Sequence, residues 1–190
     1  MKFVNVVFSI LVLAILFTPI VNAQVDIFGK MDTVYAEISK IDNNNWSVTV
    51  SVTNDETVEG LSIPLKMTAG MNKIVADSAV YTGGRVENFT LKAFRPDTAI
   101  QCATLGMVAN LGPTKNSLPP GTGRLVTLFV SSLENKPIEK LMVDTTTTHP
   151  NNSIMIVAST SNWGEHRLDT IKVEKRKELE IIPVFVVKKL

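Results

Sequence analysis

Period-two alternation of apolar and polar residues runs through most of the chain and constrains its fold more than any other feature. Residues 46–53 read WSVTVSVT, which puts a tryptophan and three valines on one face and four hydroxyl side chains on the other. That pattern predicts a β-strand with one buried face. Residues 61–67 repeat it, with Pro64 on the polar face. Because proline cannot donate to a sheet ladder, we expect this second strand to lie at a sheet edge or to carry a bulge.

The alternation returns often enough to fill one domain with strands. Turn-forming Asn, Asp, Gly and Pro residues separate the alternating segments, and no segment keeps the helical period. Strands that follow one another about every ten residues, with such turns between them, are typical of a sandwich. The sequence therefore predicts a single all-β domain, an antiparallel β-sandwich of about nine to eleven strands with a jelly-roll-like form. The further predicted strands are 34–38, 74–81, 86–93, 98–107, 124–131, 140–145, 154–158, 168–173 and 179–187.

The first 23 residues have the composition of a secretory signal peptide. The segment begins with Lys2, continues through the apolar residues 3–17 and ends with the small side chain of Ala23. An uncleaved membrane anchor is the alternative. The apolar run is shorter than the roughly 20 residues that span a bilayer, and Pro19 interrupts its end. We therefore expect cleavage after Ala23, export of a domain comprising residues 24–190, and a secreted, extracellular or periplasmic location.

Charge and cysteine content narrow the partners and the source of stability. The chain has 19 Lys and Arg against 18 Asp and Glu, and loss of Lys2 with the signal leaves 18 against 18. A net charge of zero gives no basic footprint for nucleic acid or for an anionic membrane surface, so neither is expected as a partner. Cys102 is alone, which excludes an internal disulfide. Its strand-like surroundings predict that it packs as a small apolar side chain.

Three stretches, taken in order, resemble the cohesin family and its relatives among the carbohydrate-binding sandwiches. They are 46–54 (WSVTVSVTN), 58–65 (VEGLSIPL) and 121–130 (GTGRLVTLFV), the last two being glycine-led alternating strands. The resemblance spans most of the chain after the signal. It implies a non-catalytic binding or scaffolding module of bacterial origin, connected with polysaccharide breakdown, whose partner is a dockerin-like extracellular protein or a polysaccharide. It assigns no interface residue, because 67–74 lacks the tyrosine–aspartate pair usual in cohesins.

The sequence offers no assembled catalytic chemistry. A Gly-x-Ser-x-Gly turn is absent, and His149 and His166 both stand in loop-like contexts without a partner at metal-ligand spacing. We therefore expect a protein that is not an enzyme and that has no cofactor. Binding of a structural Ca²⁺ ion is one alternative, since 42–45 (DNNN) and 54–56 (NDE) present hard oxygen ligands at strand ends. The same residue types are also common in turns, where they hydrogen-bond their own backbone.

Aromatic side chains are the candidates for ligand binding. Trp163 stands in a polar loop beside Gly164, where a large amphipathic ring suits an interface, and Tyr81 precedes a glycine turn. We predict that these two residues take part in binding. Trp46 and Phe129 alternate with valines and leucines, which predicts that both are buried in the core.

Two functions from different classes stay open at this stage. In the first, the sandwich engages a protein or a polysaccharide through one face or loop end. In the second, the chain is a structural subunit of an extracellular assembly and joins its neighbours through edge strands. The apolar segment 181–187 (IIPVFVV) would add to a neighbouring sheet in that case, and otherwise forms the last strand of its own sandwich.

Overall fold

Two β-sheets packed face to face make up the part of the chain that the computed structural model describes, namely residues 26, 28–110, 116–146, 154–163 and 179–189. The strands are β1 (Thr33–Lys40), β2 (Asn45–Asn54), β3 (Val58–Thr68), β4 (Ile74–Val80), β5 (Leu91–Asp97), β6 (Cys102–Val108), β7 (Gly121–Ser132), β8 (Met142–Thr145), β9 (Met155–Ala158), β10 (Glu180–Ile181) and β11 (Val184–Lys189). The first sheet has the order β11-β1-β2-β7-β4, and the second has the order β10-β9-β3-β6-β5, with β8 also paired to β3.

This architecture confirms the predicted all-β sandwich. The described strands pair antiparallel, except that β1 and β11 run parallel. The parallel pair arises because the chain changes sheets after β10, through Ile182 and Pro183, before β11 begins. The predicted strand 179–187 is therefore two strands, which lie in different sheets. The N–H of Val184 donates to the carbonyl of Asp32 at 2.8 Å, which starts the β11 pairing.

The core lies between the two sheets and is built from the faces that the alternation predicts. β2 supplies Val48, Val50 and Val52, all with 0% exposure. The second sheet supplies Ile63 and Leu65 from β3 to the same apolar cluster. Full burial of a side chain of this size contributes about 1.5–3 kcal/mol relative to exposure. The two sheets are therefore held together mainly by this shared apolar layer.

Pro64 lies in a central strand, not in an edge strand. β3 pairs with β6 on one side, and on the other side it pairs first with β9 and then with β8. The carbonyl of Pro64 accepts from the N–H of Thr146 at 3.3 Å, just beyond the end of β8. Since the N and the carbonyl of one strand residue face the same neighbour, the missing donor falls in the gap between β8 and β9. β3 does have a bulge, but between Val58 and Gly60.

The predicted strand 86–93 is misplaced. Val86 and Phe89 are buried, but consecutive turns hold them. The N–H of Gly84 donates to the carbonyl of Tyr81 at 2.8 Å, and the N–H of Phe89 donates to that of Val86 at 3.0 Å. A Cβ on Gly84 would lie 2.2 Å from the carbonyl oxygen of Leu125, so only glycine fits this close turn. β5 therefore begins only at residue 91.

The prediction that Phe129 is buried in the core is wrong. Val126, Leu128 and Val130 of β7 are buried, whereas Phe129 is 37% exposed on the opposite face, opposite Ser47 of β2. Leu128 and Val130 face the core, and Phe129, which lies between them in the sequence, therefore faces the other way. Trp46 was predicted to be buried, and it is half-buried: it packs against the core, and its indole N–H donates to the carbonyl of Ile138 at 3.3 Å.

The structure describes Cys102 but not the last of the interior strands predicted from the sequence. Cys102 is 7% exposed, which confirms that it packs as a small buried side chain. The predicted strand 168–173 lies outside the described residues. Within the described ranges, no helix is both long enough and apolar enough to cross a bilayer.

Candidate docking face and carboxylate cluster

The outer face of the second sheet carries an apolar patch of small and aliphatic side chains. In the first row across the strands, Leu91 lies opposite Val108, Val108 opposite Gly60, and Gly60 opposite Val157. In the next row, Ala93, Gly106, Ser62 and Met155 follow in the same way. We call this patch the β5–β9 face; its members are Gly60, Ser62, Leu91, Ala93, Gly106, Val108, Met155 and Val157.

Glycine keeps the centre of the β5–β9 face flat. A Cβ on Gly60 would lie 3.4 Å from the Cβ of Val157, and one on Gly106 would lie 3.7 Å from the Cβ of Ala93. These are ordinary contact distances, so neither position excludes a Cβ. Gly60 is buried, whereas Gly106 is only half-buried, and a longer side chain at Gly106 would project from the face. At its rim, Leu91 is 44% exposed. A flat apolar surface with an exposed aliphatic residue is a feature of protein-binding surfaces.

Charged residues border the β5–β9 face on one side. Arg95 lies opposite Thr104, and Lys66 lies opposite Asp144, two residue positions further along the strands. The Lys66 ammonium group donates to the carbonyl of Ile100, which holds that side chain against the sheet. Residues of both charges thus border the apolar rows. Protein interfaces have such a polar rim around an apolar centre.

The outer face of the first sheet is different in composition. The strand β2 presents hydroxyl side chains there, and Thr49 lies between Glu37 of β1 and Thr127 of β7. Phe129 is an exposed ring on this face, with Ser47 on one side and Ser78 on the other. Hydroxyls and charges therefore dominate this face, and the contiguous apolar patch belongs to the second sheet.

A cluster of four carboxylates lies where β1 begins and β2 turns into β3. Asp26, Asp32, Asp55 and Glu56 each offer one carboxylate oxygen, and these oxygens all lie within 4.8 Å of one another. Asp32 is 1% exposed and Glu56 is 4% exposed. No hydrogen-bond donor among the described residues reaches either oxygen of these two side chains. Such a concentration of buried negative charge requires a cation or protons.

The electrostatics of the cluster follow from its burial. Burial, a hydrogen bond with Glu56 when one of the two carries a proton, and the neighbouring negative charges raise the pKa of Asp32 from 3.8 to about 9. Burial also raises the pKa of Glu56. The nearby Arg85 does not neutralise them, since its guanidinium donates to Asn54 Oδ1 at 2.8 Å and to the carbonyl of Gly121 at 2.9 Å. The described structure thus gives this pair no cationic partner.

The two segments predicted to offer calcium ligands have different environments. The carboxylate of Asp42 accepts from the N–H of Asn44 at 2.7 Å and from that of Asn45 at 2.8 Å, so it stabilises its own turn. These hydrogen bonds, led by that of the Asn45 side chain, lower the pKa of Asp42. In the segment 54–56, Asp55 and Glu56 belong to the carboxylate cluster.

Asp26 and Asp32 are the functional candidates that sequence reasoning missed. They lie before β1, whereas Asp55 and Glu56 lie in the β2–β3 turn. The antiparallel pairing of Thr33 with Thr53 brings the two segments together, and the N–H of Lys30 donates to Asp55 Oδ2 across them. The segment before β1 contains no recognisable ligand motif, so only Asp55 and Glu56, within the segment 54–56, could be predicted as calcium ligands.

Of the two aromatic candidates for ligand binding, only Tyr81 has a described side chain, and it is not part of the β5–β9 face. Tyr81 is half-buried, packs against the core and donates its hydroxyl to the carbonyl of Ala93 at 3.3 Å. Burial raises its pKa. Trp163 ends a 3₁₀ turn, Thr160–Trp163, and its side chain lies outside the described part of the chain. Binding roles for both residues stay predictions.

Solved structures with the same architecture are cohesin modules. The third cohesin ScaC of Acetivibrio cellulolyticus, in complex with the ScaB dockerin, has a TM-score of 0.53 at 13% identity, over 82% of this chain and 96% of that one. The sixth cohesin of scaffoldin B from the same organism, in complex with a mutant dockerin, has a TM-score of 0.52 at 8% identity, over 83% and 96%. The OlpC cohesin of Clostridium thermocellum, in complex with a dockerin, has a TM-score of 0.52 at 8% identity, over 88% of this chain and 99% of that one.

The fold class follows from these similarities and from the sheet order. No protein-family model matches the sequence, and no curated protein matches it. At such identities the likeness concerns the fold alone. The chain is a cohesin-like β-sandwich.

Proposed function

We propose that this protein is an exported, non-catalytic module that binds another protein through the β5–β9 face. The observation that supports this most is the contiguous row Leu91, Val108, Gly60 and Val157, which lies on the outside of a sheet where solvent-facing residues are usually polar. Cohesin modules of the same fold occur in complexes with dockerins. A dockerin-like protein is therefore the partner that we propose.

The size of the face fits such a partner. The second sheet is five strands wide along its main path. With strands about 4.8 Å apart it measures about 20 Å across, enough for one or two helices of about 10–12 Å diameter. A standard interface buries about 800 Å² on each partner. The apolar rows would form its centre, while Arg95, Lys66 and Asp144 would lie at its rim, where charges set orientation and association rate more than affinity.

A polysaccharide is the weaker candidate. Sugar binding on a flat sheet needs exposed rings that stack on pyranoses, and the eight members of the β5–β9 face include no aromatic side chain. Phe129 lies on the outer face of the other sheet, opposite Ser47. Sugar binding can still be tested through the predicted binding role of Trp163.

Two of the four edge strands in the described sheets discourage assembly through sheet addition. Pro96 interrupts the donors of the edge strand β5, and a bulge between Ala76 and Ser78 distorts the edge strand β4. Both features discourage pairing with another chain. Assembly through β4 or β5 is therefore the alternative with less support. The other two edge strands, β10 and β11, contain most of the apolar segment 181–187, and assembly through them is the second candidate function.

Isothermal titration calorimetry of residues 24–190 against a panel of dockerin modules tests the proposal. We expect saturable binding to at least one module and no retention of the chain on insoluble cellulose. Retention on cellulose that is lost in Trp163→Ala, together with no heat from any dockerin, would contradict the β5–β9 face as the binding surface and favour the polysaccharide.

Export is tested separately. When the full chain is expressed in a bacterial host with its own first 23 residues, we expect a processed protein outside the cytoplasm whose N-terminus is Gln24. Mass spectrometry of the intact protein measures this directly. A chain that keeps Met1 and stays in the cytoplasm would refute export while leaving the binding proposal intact.

A further inference from the structure

We propose that Asp26, Asp32, Asp55 and Glu56 form a binding site for a Ca²⁺ ion, which fastens the first residues of the exported domain onto the β2–β3 turn. This inference concerns a different part of the molecule from the β5–β9 face and does not depend on partner binding.

The distances within the cluster fit one calcium coordination shell. Ca²⁺ binds oxygen ligands at about 2.3–2.6 Å, so two ligands on opposite sides of the ion are about 4.6–5.2 Å apart. One oxygen from each of the four carboxylates lies within 4.8 Å of the others. The separations of the four oxygens are therefore of the size found between ligands of one calcium ion.

The two most buried members of the cluster point to a ligand. Asp32 and Glu56 are 1% and 4% exposed, and both oxygens of each side chain are buried without a hydrogen-bond donor in the described structure. A buried carboxylate that lacks a partner costs several kcal/mol. Arg85, the nearby guanidinium, is occupied by neutral acceptors, including the carbonyl of Pro119 at 2.5 Å. A bound cation supplies the missing compensation.

Backbone donors orient the two other carboxylates so that oxygens stay available. Asp26 Oδ1 accepts from the N–H of Phe28 at 2.8 Å, while its Oδ2 is buried and has no partner. Asp55 Oδ2 accepts from the N–H of Lys30 at 2.7 Å. Gly29 makes this approach possible, because a Cβ there would lie 2.2 Å from Asp55 Oδ2. The segment 28–30 thus wraps closely around the Asp55 carboxylate.

The chemistry of the donors selects the ion. All four ligands are carboxylates, which are hard oxygen donors, and the cluster contains no imidazole or thiolate that a transition metal would prefer. Mg²⁺ usually keeps several waters and binds through one or two carboxylates, whereas Ca²⁺ accepts six to eight oxygens from a crowded set. Extracellular modules commonly bind Ca²⁺ with Kd of about 10⁻⁴–10⁻³ M, a range suited to an exported protein.

Calorimetry and thermal unfolding of residues 24–190, freed of metal with a chelator, test the site. We expect one Ca²⁺ to bind per chain, a rise in Tm with millimolar Ca²⁺, and a much smaller effect of Mg²⁺. Asp32→Asn should weaken Ca²⁺ binding at least tenfold. If Asp32→Asn does not fold, Asp55→Asn serves in its place, because Asp55 is solvent-exposed. Asp77→Asn, an exposed acid on β4, is the matched control and should bind as the wild-type chain does.

Hydrogen exchange supplies a second readout. Addition of Ca²⁺ should slow amide exchange in residues 26–32 of the wild-type chain and not in the Asp55→Asn variant. The proposal is overturned if Ca²⁺ gives no heat and no change in Tm. Equal binding of Mg²⁺, or of Ca²⁺ to the Asp55→Asn variant, would also overturn it. Loss of partner binding with an intact calcium response would affect only the proposed function.

Discussion

Arg85 illustrates at the scale of single residues how this end of the sandwich is held closed. Its guanidinium donates to Asn54 Oδ1 and to the carbonyl of Gly121, and Asn54 in turn donates to the carbonyl of Glu56 at 2.6 Å. The glycines at 121 and 123 leave room for it, since a Cβ on Gly123 would lie 2.9 Å from the Arg85 Cδ. The glycine-led pattern visible in the sequence therefore has a physical cause, but Arg85, which explains it, lies 36 residues away.

Arg85→Met removes these donors while it keeps most of the aliphatic stem. Because Asn54 and the carbonyls around it would lose a charged donor, we expect a loss of about 2–4 kcal/mol in the free energy of unfolding. Urea unfolding measures this change. Arg95→Met on the exposed strand β5 is the control and should change stability by less than about 0.5 kcal/mol. Equal effects of the two substitutions would contradict the structural role of Arg85.

The raised pKa of Asp32 predicts a pH dependence of the metal-free chain. The folded state holds a proton on Asp32 up to a pKa of about 9, whereas the unfolded state releases it near 3.8, the ordinary pKa of an aspartate side chain. The folded form thus binds more protons between these values, and stability should fall as pH rises from about 4 to about 9. Unfolding in urea with a chelator, at several pH values, measures this. The fall in stability should be clearly smaller in Asp32→Asn, which keeps only the raised pKa of Glu56. Identical profiles for the variant and the wild-type chain would contradict this.

Strand β11 shows at the scale of elements why tertiary context decides what a pattern becomes. The apolar segment that the sequence presents as one strand divides at Pro183, so that β10 closes one sheet and β11 closes the other. Phe185 and Val187 of β11 pack against the core. Pro64 gives a similar lesson, because its missing donor falls in a gap between two short strands that periodicity alone does not reveal.

Deletion of residues 184–190 tests the contribution of β11. The deletion exposes the edge of β1 and removes two side chains from the core, so we expect a loss of about 3 kcal/mol or more and a tendency to associate. Unfolding in urea and light scattering after size exclusion provide the two measurements. Lys188→Ala, which removes only the cation over the Tyr35 ring at 4.2 Å, should lower stability by less than about 1 kcal/mol. An unchanged, monomeric deletion variant would show that β11 is not part of the sandwich.

At the scale of the whole molecule, the fold was more predictable than the sites. Strong alternation placed β2 within one residue of each of its ends, because one of its faces is fully buried. Val86 and Phe89 misled the same reasoning, since turns can also bury apolar side chains. The β5–β9 face and the carboxylate cluster both depend on which strands become neighbours. Opposing residues such as Gly60 and Val157 are nearly a hundred positions apart, and no local pattern encodes their contact.

The central claim is that the β5–β9 face binds the partner. The most direct measurement is the Kd of two matched variants for the dockerin module that the wild-type chain binds most tightly, determined by isothermal titration calorimetry. Gly106→Arg places a long side chain in the middle of the face, and Thr49→Arg places the same side chain on the outer face of the first sheet. We predict that Gly106→Arg raises Kd at least tenfold, about 1.4 kcal/mol, while Thr49→Arg changes it less than twofold. A larger loss in Thr49→Arg than in Gly106→Arg, with both variants folded, would contradict the account.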